Sequence, residues 1–302
     1  MNRVGLIWNQ KSHRNRGAGR PPLPDNVLDV APEDSAHLFA ALRHFASESV
    51  DLVVIDGGDG TVREVLTRLP EAYGGRIPQL AIVPNGKTNA LAIDIGTPLG
   101  TTLAQLLAAA ETGRPLKRRQ CLEVVRPGQA TPEHRGFLFG LGAFVRGTEL
   151  AQRSHGLGLF DNPAIVATML GATARTLLGG PDDPWRRGEP MSLSFVGEGE
   201  QPWFLLLAST LKRLPLGVKP FGTPREGLKV LAIKAPPRRF LRALPRLLRG
   251  QDAPWMIDAG YLRQDLSAFS VSIPGGFVLD GEIYDGGDLS VRQGPDLEFV
   301  VP

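Results

Sequence analysis

Hydrophobic and polar positions follow two different patterns along the chain, with the change near residue 118. Before it, short apolar runs alternate with stretches that have the apolar spacing of helices. The runs are Val4–Trp8, Leu52–Ile55 and Leu80–Val83, and the predicted helices are Ser35–Ser47, Val62–Leu69, Asn89–Ile95 and Thr101–Thr112. Continuous apolar strands that alternate with helices predict a parallel sheet covered on both faces, as in Rossmann-like α/β domains.

After residue 118 the chain is a series of short strand patterns separated by glycine and proline clusters. The predicted strands are Leu122–Val125, Phe137–Val145, Ser192–Val196, Trp203–Ser209, Leu228–Ile233, Phe269–Ile273 and Phe277–Ile283. One helical insertion is predicted at about Ala164–Leu178, followed by a surface loop at Gly179–Pro190. Regularly spaced short strands predict a mainly antiparallel β-sandwich.

Composition restricts the setting in which the chain acts. Its 302 residues are 42% hydrophobic and 22% charged, as in ordinary globular proteins. The single cysteine, Cys121, excludes an internal disulfide and fits a reducing compartment. The first apolar run is too short for a secretory signal, and no window approaches the roughly 18 apolar residues of a membrane span. We therefore expect a cytoplasmic protein whose membrane contact, if any, is peripheral.

Basic residues are clustered although the net charge is only +3. The ranges 1–20 and 237–250 each contain five lysines or arginines and no acid. No nucleic-acid module signature accompanies them, so nucleic acid is not an expected partner. Residues 238–249 also carry a helical apolar stripe, and Pro245 is expected to kink this helix or to begin a second one. The helix either lies on an anionic membrane or covers the sandwich; the apolar loop 214–221 is a second candidate for lipid contact.

The first candidate for chemistry is the glycine-rich turn after the strand Leu52–Ile55. This turn consists of Gly57, Gly58, Asp59, Gly60 and Thr61. Glycines allow backbone N–H groups to approach a ligand, and a helix N-terminus behind them favours an anion, so the turn suits phosphate. The carboxylate of Asp59 repels a bare phosphate, which implies a bridging cation or a hydroxyl donor. The structural alternative is a tight β–α turn.

Three stretches together resemble one family. The Gly-Gly-Asp-Gly-Thr turn resembles the signature shared by diacylglycerol, sphingosine and NAD kinases, and Glu64-Val65 follows it as in the lipid kinases. Pro84-Asn-Gly-Lys-Thr-Asn-Ala-Leu-Ala92 resembles their Pro-x-Gly-Thr-x-Asn-x-x-Ala, and Leu279-Asp-Gly-Glu282 resembles their late Asp-Gly-Glu. The chain thus resembles the diacylglycerol kinase catalytic-domain family, which includes ceramide and sphingosine kinases.

The resemblance implies a two-domain architecture and an ATP site. We expect a nucleotide-binding α/β domain over 1–118, a lipid-acceptor sandwich over 119–288, and a strand within 289–302, such as Leu297–Val301, that returns to the first domain. The expected nucleotide-binding residues are Asn9, Ser12, Gly57, Gly58, Asp59, Gly60, Thr61, Lys87, Thr88 and Asn89. Lys87 stands where the family has threonine, and its ammonium can reach phosphate over a longer distance. The basic loop 11–16 is expected to face the triphosphate.

The resemblance also implies that Asp280 and Glu282 activate the acceptor hydroxyl. On a regular strand the two carboxylates share one face, whereas Gly281 between them allows a bend, and a plain β-turn is the structural alternative. Asp59 is the expected contact for Mg²⁺ that enters with ATP. The family's further magnesium network uses an Asp after the motif asparagine and a later Asp-Gly-x-Leu; this chain has Ala90 and Glu226-Gly227-Leu228 there. These departures leave open whether this chain has that magnesium network.

The predicted function is ATP-dependent phosphorylation of the primary hydroxyl of a membrane lipid. Diacylglycerol, ceramide and sphingoid bases all carry such a hydroxyl, and the sequence does not separate them. We expect transient binding to an anionic surface at the inner face of the membrane; the sequence gives no oligomeric state. The alternatives are a kinase of a soluble acceptor such as NAD, and a nucleotide or lipid sensor with little or no turnover.

Overall fold

The structure is a computed structural model that describes residues 3–17, 19, 23–113, 115–155, 183–197 and 199–302. The predicted helix at Ala164–Leu178 lies outside the described residues. The predicted loop at 179–190 is described only from residue 183, where it contains a short helix and the start of a strand.

The N-terminal part forms a parallel sheet with helices on both faces. Its strands are β1 (Val4–Trp8), β2 (Val27–Val30), β3 (Leu52–Gly57) and β4 (Gln79–Pro84), in the order β2-β1-β3-β4. Its helices are α1 (Ser35–Ser47), α2 (Asp59–Ala72), α3 (Ala90–Ile95) and α4 (Leu103–Glu111). The predicted α/β layout is confirmed; β2 was not predicted, and α2 begins three residues before the predicted start.

Successive side chains of these strands enter two different cores, as a strand buried on both faces requires. Ile7, Val53 and Ile55 pack with buried residues of α1 and α2. Leu6 and Val54 pack on the other face with residues of α4. The side chains of both cores are buried, so the sheet is packed on both faces beneath the loops at its strand ends.

The C-terminal part is an antiparallel sandwich, as predicted. Its strands are β5 (Lys117–Val125), β6 (His134–Gly136), β7 (Leu138–Gly142), β8 (Glu189–Leu193), β9 (Gln201–Ser209), β10 (Leu228–Lys234), β11 (Tyr261–Leu266), β12 (Ala268–Ile273), β13 (Phe277–Leu279), β14 (Glu282–Tyr284) and β15 (Gly287–Phe299). One layer contains β5, β6, β12 and β15, the other contains β7, β9, β10, β11, β13 and β14, and β8 pairs with a strand of each. Phe139, Trp203 and Phe277 lie in the core between them.

Several boundaries in the sandwich differ from the prediction. The strand predicted at Phe137–Val145 ends at Gly142, whose positive φ breaks the strand, and α5 (Ala143–His155) follows. The strand predicted at Ser192–Val196 begins earlier and ends at Leu193. The remaining helices are α6 (Pro184–Arg187), a 3₁₀ turn at Pro215–Gly217, α7 (Phe240–Arg249) and α8 (Pro254–Asp258). Pro245 lies inside α7, which is one helix, so the second helix that was one of the two expectations does not begin there.

The last strand, β15, is shared by the two parts of the chain. Its first half pairs with β12 and β5 in the sandwich. Its end lies parallel to β4, where Phe299 is opposite Leu80 and the Val300 amide donates to the Leu80 carbonyl at 2.8 Å. The division into 1–118 and 119–288 stays a prediction, since β5 crosses it.

Candidate functional site

Three loops meet at the carboxyl ends of β1, β3 and β4. They are residues 9–16, 57–61 and 84–89, and backbone hydrogen bonds join them: the Asn9 amide donates to the Asp56 carbonyl at 3.0 Å, and the Asn85 amide donates to the Gly57 carbonyl at 3.1 Å. In open α/β sheets, ligands bind at this edge. Most of the residues predicted to bind a nucleotide are therefore brought together.

A buried carboxylate that sequence reasoning missed fixes these loops. Asp56 Oδ1 accepts from Asn15 Nδ2 at 2.8 Å and from Asn85 Nδ2 at 2.7 Å. Burial raises the pKa of Asp56, and the two amides oppose this rise. Asn9 Nδ2 donates to Thr61 Oγ1 at 2.7 Å. The available signal was an aspartate at the end of a strand that is otherwise apolar.

The glycine-rich turn and the 84–89 loop are in direct backbone contact. A Cβ on Gly58 would lie 2.8 Å from Gly86 Cα, and a Cβ on Gly86 would lie 2.4 Å from Gly58 Cα. A Cβ on Gly57 would lie 2.5 Å from Thr61 Oγ1. Gly57, Gly58 and Gly86 are therefore needed for close packing within the site. In contrast, a Cβ on Gly60 would meet nothing nearer than 3.9 Å.

Asp59 holds the start of α3. Its carboxylate accepts from the Ala90 amide at 3.1 Å and from the Leu91 amide at 3.4 Å, so it links the glycine-rich turn to the second motif. Burial raises its pKa, and the backbone amides oppose the rise. Within the described ranges no group of three or more His, Cys, Asp or Glu side chains is arranged to hold a metal. Asp59 as a contact for Mg²⁺ remains a prediction.

The second motif divides into a buried and an exposed part. Asn89 is buried with φ of +51°, and its side chain accepts from the Gly86 amide and donates to the Gly86 carbonyl, both at 2.9 Å. Its contacts thus shape the loop. Lys87 and Thr88 are exposed on the same loop.

The loop after β1 presents basic groups around one buried hydroxyl. Lys11, His13, Arg14 and Arg16 are exposed. Among the residues that the structure describes, the buried Ser12 hydroxyl has no hydrogen-bond partner. An unsatisfied buried hydroxyl is costly, so it marks a position where a ligand oxygen would be favourable.

Asp280 lies in the two-residue turn of the β13–β14 hairpin. Asp280 and Gly281 have φ of +47° and +86°, as in the type I′ turns that join antiparallel strands. Of the arrangements considered from the sequence, the structure therefore has the bend at Gly281 and not a regular strand, and the backbone of this pair is a β-turn. Glu282 is exposed at the start of β14, where it pairs with Leu279.

The Asp280 carboxylate also connects the hairpin to the neighbouring strands. It accepts from the Phe137 amide at 3.1 Å and from the Leu138 amide at 2.8 Å. Burial, and secondarily the negative charge of Asp59, raises the pKa of Asp280 to about 7, against the effect of these amides and of Arg63. The turn also lies near the helix that follows the glycine-rich turn, because Arg63 Nη1 of α2 is 3.5 Å from the carbonyl of Leu279, the residue before Asp280.

Arg63 is a second residue that sequence reasoning missed. It is buried on α2, its Nη1 lies 3.5 Å from the Leu279 carbonyl, and its guanidinium is 5.6 Å from the centre of the Tyr284 ring. Its Nε is buried and has no partner among the described residues. Its charge favours the ionised forms of Asp59 and Asp280. No signal in the sequence pointed to Arg63, because its role depends on the contact of α2 with the sandwich, which forms only in the tertiary fold.

The further magnesium network that the family resemblance implied does not fit these residues. Ala90 has no side-chain donor atom, and Glu226 is exposed and forms an ion pair with Lys212. The carbonyl oxygens of Arg225 and Gly227 already accept hydrogen bonds from Lys229. No step of the chemistry is therefore assigned to a structural metal.

The apolar stretches considered for lipid contact are partly covered. Ala243 and Leu247 of α7 are buried, whereas Leu241 of α7, Ile257 of α8 and Leu216 of the 3₁₀ turn are exposed. Arg239 and Arg242 lie over the Trp255 ring, which joins α7 to α8. Within the described residues, no helix has both the length and the apolar content to cross a membrane.

Comparisons with known proteins agree with these motifs. Residues 24–118 match the model of the diacylglycerol kinase catalytic domain. The chain is 30% identical over 217 residues to a diacylglycerol kinase of Bacillus subtilis, covering 70% of this chain and 63% of that protein. It is 39% identical over 77 residues to the lipid kinase YegS of Escherichia coli K12, covering 26% and 25% of the two chains. Each match thus spans less than two thirds of the relative.

The fold agrees with solved structures over the whole chain. A diacylglycerol kinase from Bacillus anthracis superposes with a TM-score of 0.61 at 16% identity, covering 100% of this chain and 97% of the other. A second Bacillus anthracis structure superposes with a TM-score of 0.67 at 18% identity, covering 100% and 96%. At such identities the likeness concerns the fold, which confirms the predicted class. Residues 24–118 thus match the diacylglycerol kinase catalytic-domain model, and the motifs at 57–61 and 84–92 lie within that match.

Proposed function

We propose that the chain is an ATP-dependent lipid kinase that transfers the γ-phosphoryl group to the primary hydroxyl of a membrane lipid. One observation carries the proposal: the Asp280 turn of the sandwich lies within electrostatic reach of Asp59 in the glycine-rich turn. A group with a pKa near neutrality is thus beside a loop suited to phosphate.

The N-terminal loops would hold the nucleotide. The α2 N-terminus, whose N-cap residue Gly58 makes no side-chain cap hydrogen bond, offers N–H groups, and the unpartnered Ser12 hydroxyl offers a donor. Lys87 would approach the phosphates as a point charge. The exposed basic groups of the loop 11–16 would add attraction for the triphosphate. Mg²⁺ would enter as part of the MgATP substrate, with Asp59 as its proposed protein contact.

Asp280 would act as the general base. The proton of the lipid hydroxyl would pass to the Asp280 carboxylate while the hydroxyl oxygen attacks the γ-phosphorus and ADP leaves. A base is most effective when its pKa lies near the working pH, and burial places that of Asp280 at about 7. Glu282, exposed beside the turn, would assist by orienting the acceptor. Arg63 would help to keep Asp280 ionised.

The acceptor would be reached by transient binding to the inner face of an anionic membrane. Exposed apolar side chains on α7, α8 and the 3₁₀ turn are accompanied by exposed arginines of the 238–249 segment. This combination suits the interface of an anionic bilayer. The names of the relatives favour diacylglycerol as the acceptor, and ceramide and sphingoid bases are the other candidates.

A nucleotide-binding sensor without kinase turnover is the second candidate. It is supported by the contacts of Asp280, whose carboxylate already accepts from two backbone amides and has a structural role in the turn.

An acceptor panel tests the proposal. The purified chain is incubated with γ-labelled ATP and Mg²⁺, and with diacylglycerol, monoacylglycerol, ceramide or sphingosine in mixed micelles, or with NAD in buffer. The proposal expects label in one lipid product. Label in NAD alone would assign a soluble acceptor, and ATP binding without any labelled product would support the sensor.

A further inference from the structure

Lys229 is buried in the sandwich, where lysine is rarely found without a partner. Its exposed fraction is 2%, and it lies in β10 between Ser209 of β9 and Asp265 of β11. Since alternate residues of a strand share a face, its side chain is on the same side as Leu231 and Ile233. These two belong to the core that also contains α1, α2 and α3, so Lys229 faces the N-terminal part.

Two backbone carbonyls hold the Lys229 ammonium. Its Nζ donates to the Gly227 carbonyl at 2.8 Å and to the Arg225 carbonyl at 3.1 Å. Gly227 has φ of +88°, so the backbone before β10 is bent around the side chain of its own strand. Burial lowers the pKa of Lys229 to about 8.

Acidic groups surround this ammonium on the junction of the two parts. The charges of Asp94, Asp265 and Glu226 favour its protonated form, and Arg225 opposes them. Asp94 is buried on α3 and accepts from Arg119 Nε of β5 at 2.5 Å and from the Arg213 amide at 2.6 Å. Asp94, two residues after the second motif, therefore ties α3 to the sandwich near Lys229.

We infer that Lys229 is a built-in cation that occupies the place of a structural metal ion at this junction. Carbonyl and carboxylate oxygens are the donors that Mg²⁺ and Ca²⁺ use, and here two such carbonyls are bound to an ammonium. A lysine ammonium supplies three N–H donors and one positive charge from within the chain. The junction is therefore held without a divalent ion, and this holds whichever acceptor the protein uses.

The first test uses the unmodified chain without nucleotide. Its Tm is measured after treatment with EDTA and again after millimolar Mg²⁺ or Ca²⁺ is added in excess of the chelator. We expect the same Tm in all samples. A lower Tm in EDTA that is restored by either ion would overturn the inference. The kinase assay is not involved, so failure here is distinct from failure of the proposed function.

The second test uses Lys229→Ala and Lys229→Gln, with Lys234→Ala as the matched control. Lys234 lies on the same strand but is exposed. We expect Lys229→Ala to lower Tm by roughly 5 °C or more, and Lys229→Gln, which keeps a donor, by less. Divalent ions should raise the Tm of Lys229→Ala and leave that of the control unchanged. A Lys229→Ala variant with the Tm of the unmodified chain would contradict the inference; if this variant does not fold, Lys229→Gln and the chelator experiment decide.

Discussion

The glycine-rich turn and the Asp280 turn solve different physical problems at one site. In the glycine-rich turn, the absence of side chains allows the backbones of Gly58 and Gly86 to touch, so the two loops pack closely together. In the Asp280 turn, a side chain is central, since its carboxylate accepts from two amides and has a raised pKa. Because of this difference, we expect the glycine-rich turn to control nucleotide affinity and the Asp280 turn to control turnover.

Replacement of the Asp280 carboxylate is expected to have the largest effect, and this effect should be on the rate of phosphoryl transfer. Loss of a positioned base costs roughly 10²–10⁴-fold in rate, so we expect Asp280→Asn to reduce lipid phosphorylation by that range. Glu282→Gln should cost about tenfold or less, because Glu282 is exposed and only assists. Rates are measured with saturating ATP in mixed micelles, and Tm is recorded for both variants. More than half of the parental rate in Asp280→Asn would remove it from the mechanism.

Addition of one methyl group at Gly86 should instead change the affinity for ATP. Its Cβ would lie 2.4 Å from Gly58 Cα, so the two loops must separate. Overpacking of this kind costs about 1–3 kcal/mol, and we expect roughly 5- to 150-fold weaker ATP binding by Gly86→Ala in calorimetry. Gly147→Ala is the control, since a Cβ there meets nothing within 4 Å. Equal affinity in Gly86→Ala and the control would show that the loop contact does not shape the nucleotide site.

Lys87 tests whether charge adds to the backbone site. A charge-assisted hydrogen bond to phosphate is worth about 1.5–3 kcal/mol, so Lys87→Ala should bind ATP roughly 10- to 100-fold more weakly. Lys87→Thr should recover part of this loss. Lys117→Ala, at an exposed lysine of β5, should bind ATP as the unmodified chain does. If both Lys87 variants retain full affinity, Lys87 is a surface charge.

The pH profile sharpens the assignment of Asp280. Because only the carboxylate accepts a proton, the rate should fall as the pH drops through about 7, the pKa that burial gives to Asp280. Arg63 favours the ionised form, so Arg63→Met should move this limb to higher pH, whereas Arg63→Lys should move it less. The folded-state pKa is raised, so the proton stabilises the fold at low pH, and this stabilisation is lost as the pH rises toward 7. A rate of lipid phosphorylation that does not change between pH 6 and 8 would contradict the role of Asp280 as the base.

Membrane attachment is expected to show the smallest effect per residue. Each arginine near an anionic surface contributes about 1 kcal/mol, and salt screens it. The double variant Arg238→Gln, Arg249→Gln removes two exposed charges and should bind anionic vesicles roughly 10- to 30-fold more weakly at low salt. Arg118→Gln, on β5, is the control. If vesicle binding is the same at low and high salt, and the same for the unmodified chain and the double variant, α7 only covers the sandwich.

Much of the fold could be predicted from the sequence, because the local apolar patterns coincide with the strands and helices of the structure. The bounds of β1 and α1 match the prediction residue for residue, since each has a continuous apolar pattern or a clear helical face. The segment Phe277–Ile283 was predicted as one strand but forms a hairpin, because apolar residues lie on both sides of the turn and only the Asp-Gly pair marked it. The sheet position of β15 depends on pairing with β4 across the whole chain, which no local pattern contains.

The candidate site was predicted less completely than the fold. Asp280, Asp59 and Asn89 could be found because they lie in recognisable motifs. Asp56, Arg63 and Lys229 acquire their significance only through burial and long-range contacts: two amides from distant loops, a carbonyl of the sandwich, and a bent segment before β10. Such contacts depend on how the two parts pack together, which residue spacing does not encode.

Separate measurement of affinity and turnover in Asp280→Asn tests the central claim most directly. ATP affinity is determined by calorimetry, and transfer of the labelled γ-phosphoryl group to lipid is followed in a single turnover with the same micelles. We predict an ATP affinity within about twofold of the unmodified chain, together with transfer slowed by at least roughly 100-fold. Transfer at the unmodified rate, or a parallel loss of affinity that accounts for the slower transfer, would contradict the claim that the two turns have separate tasks.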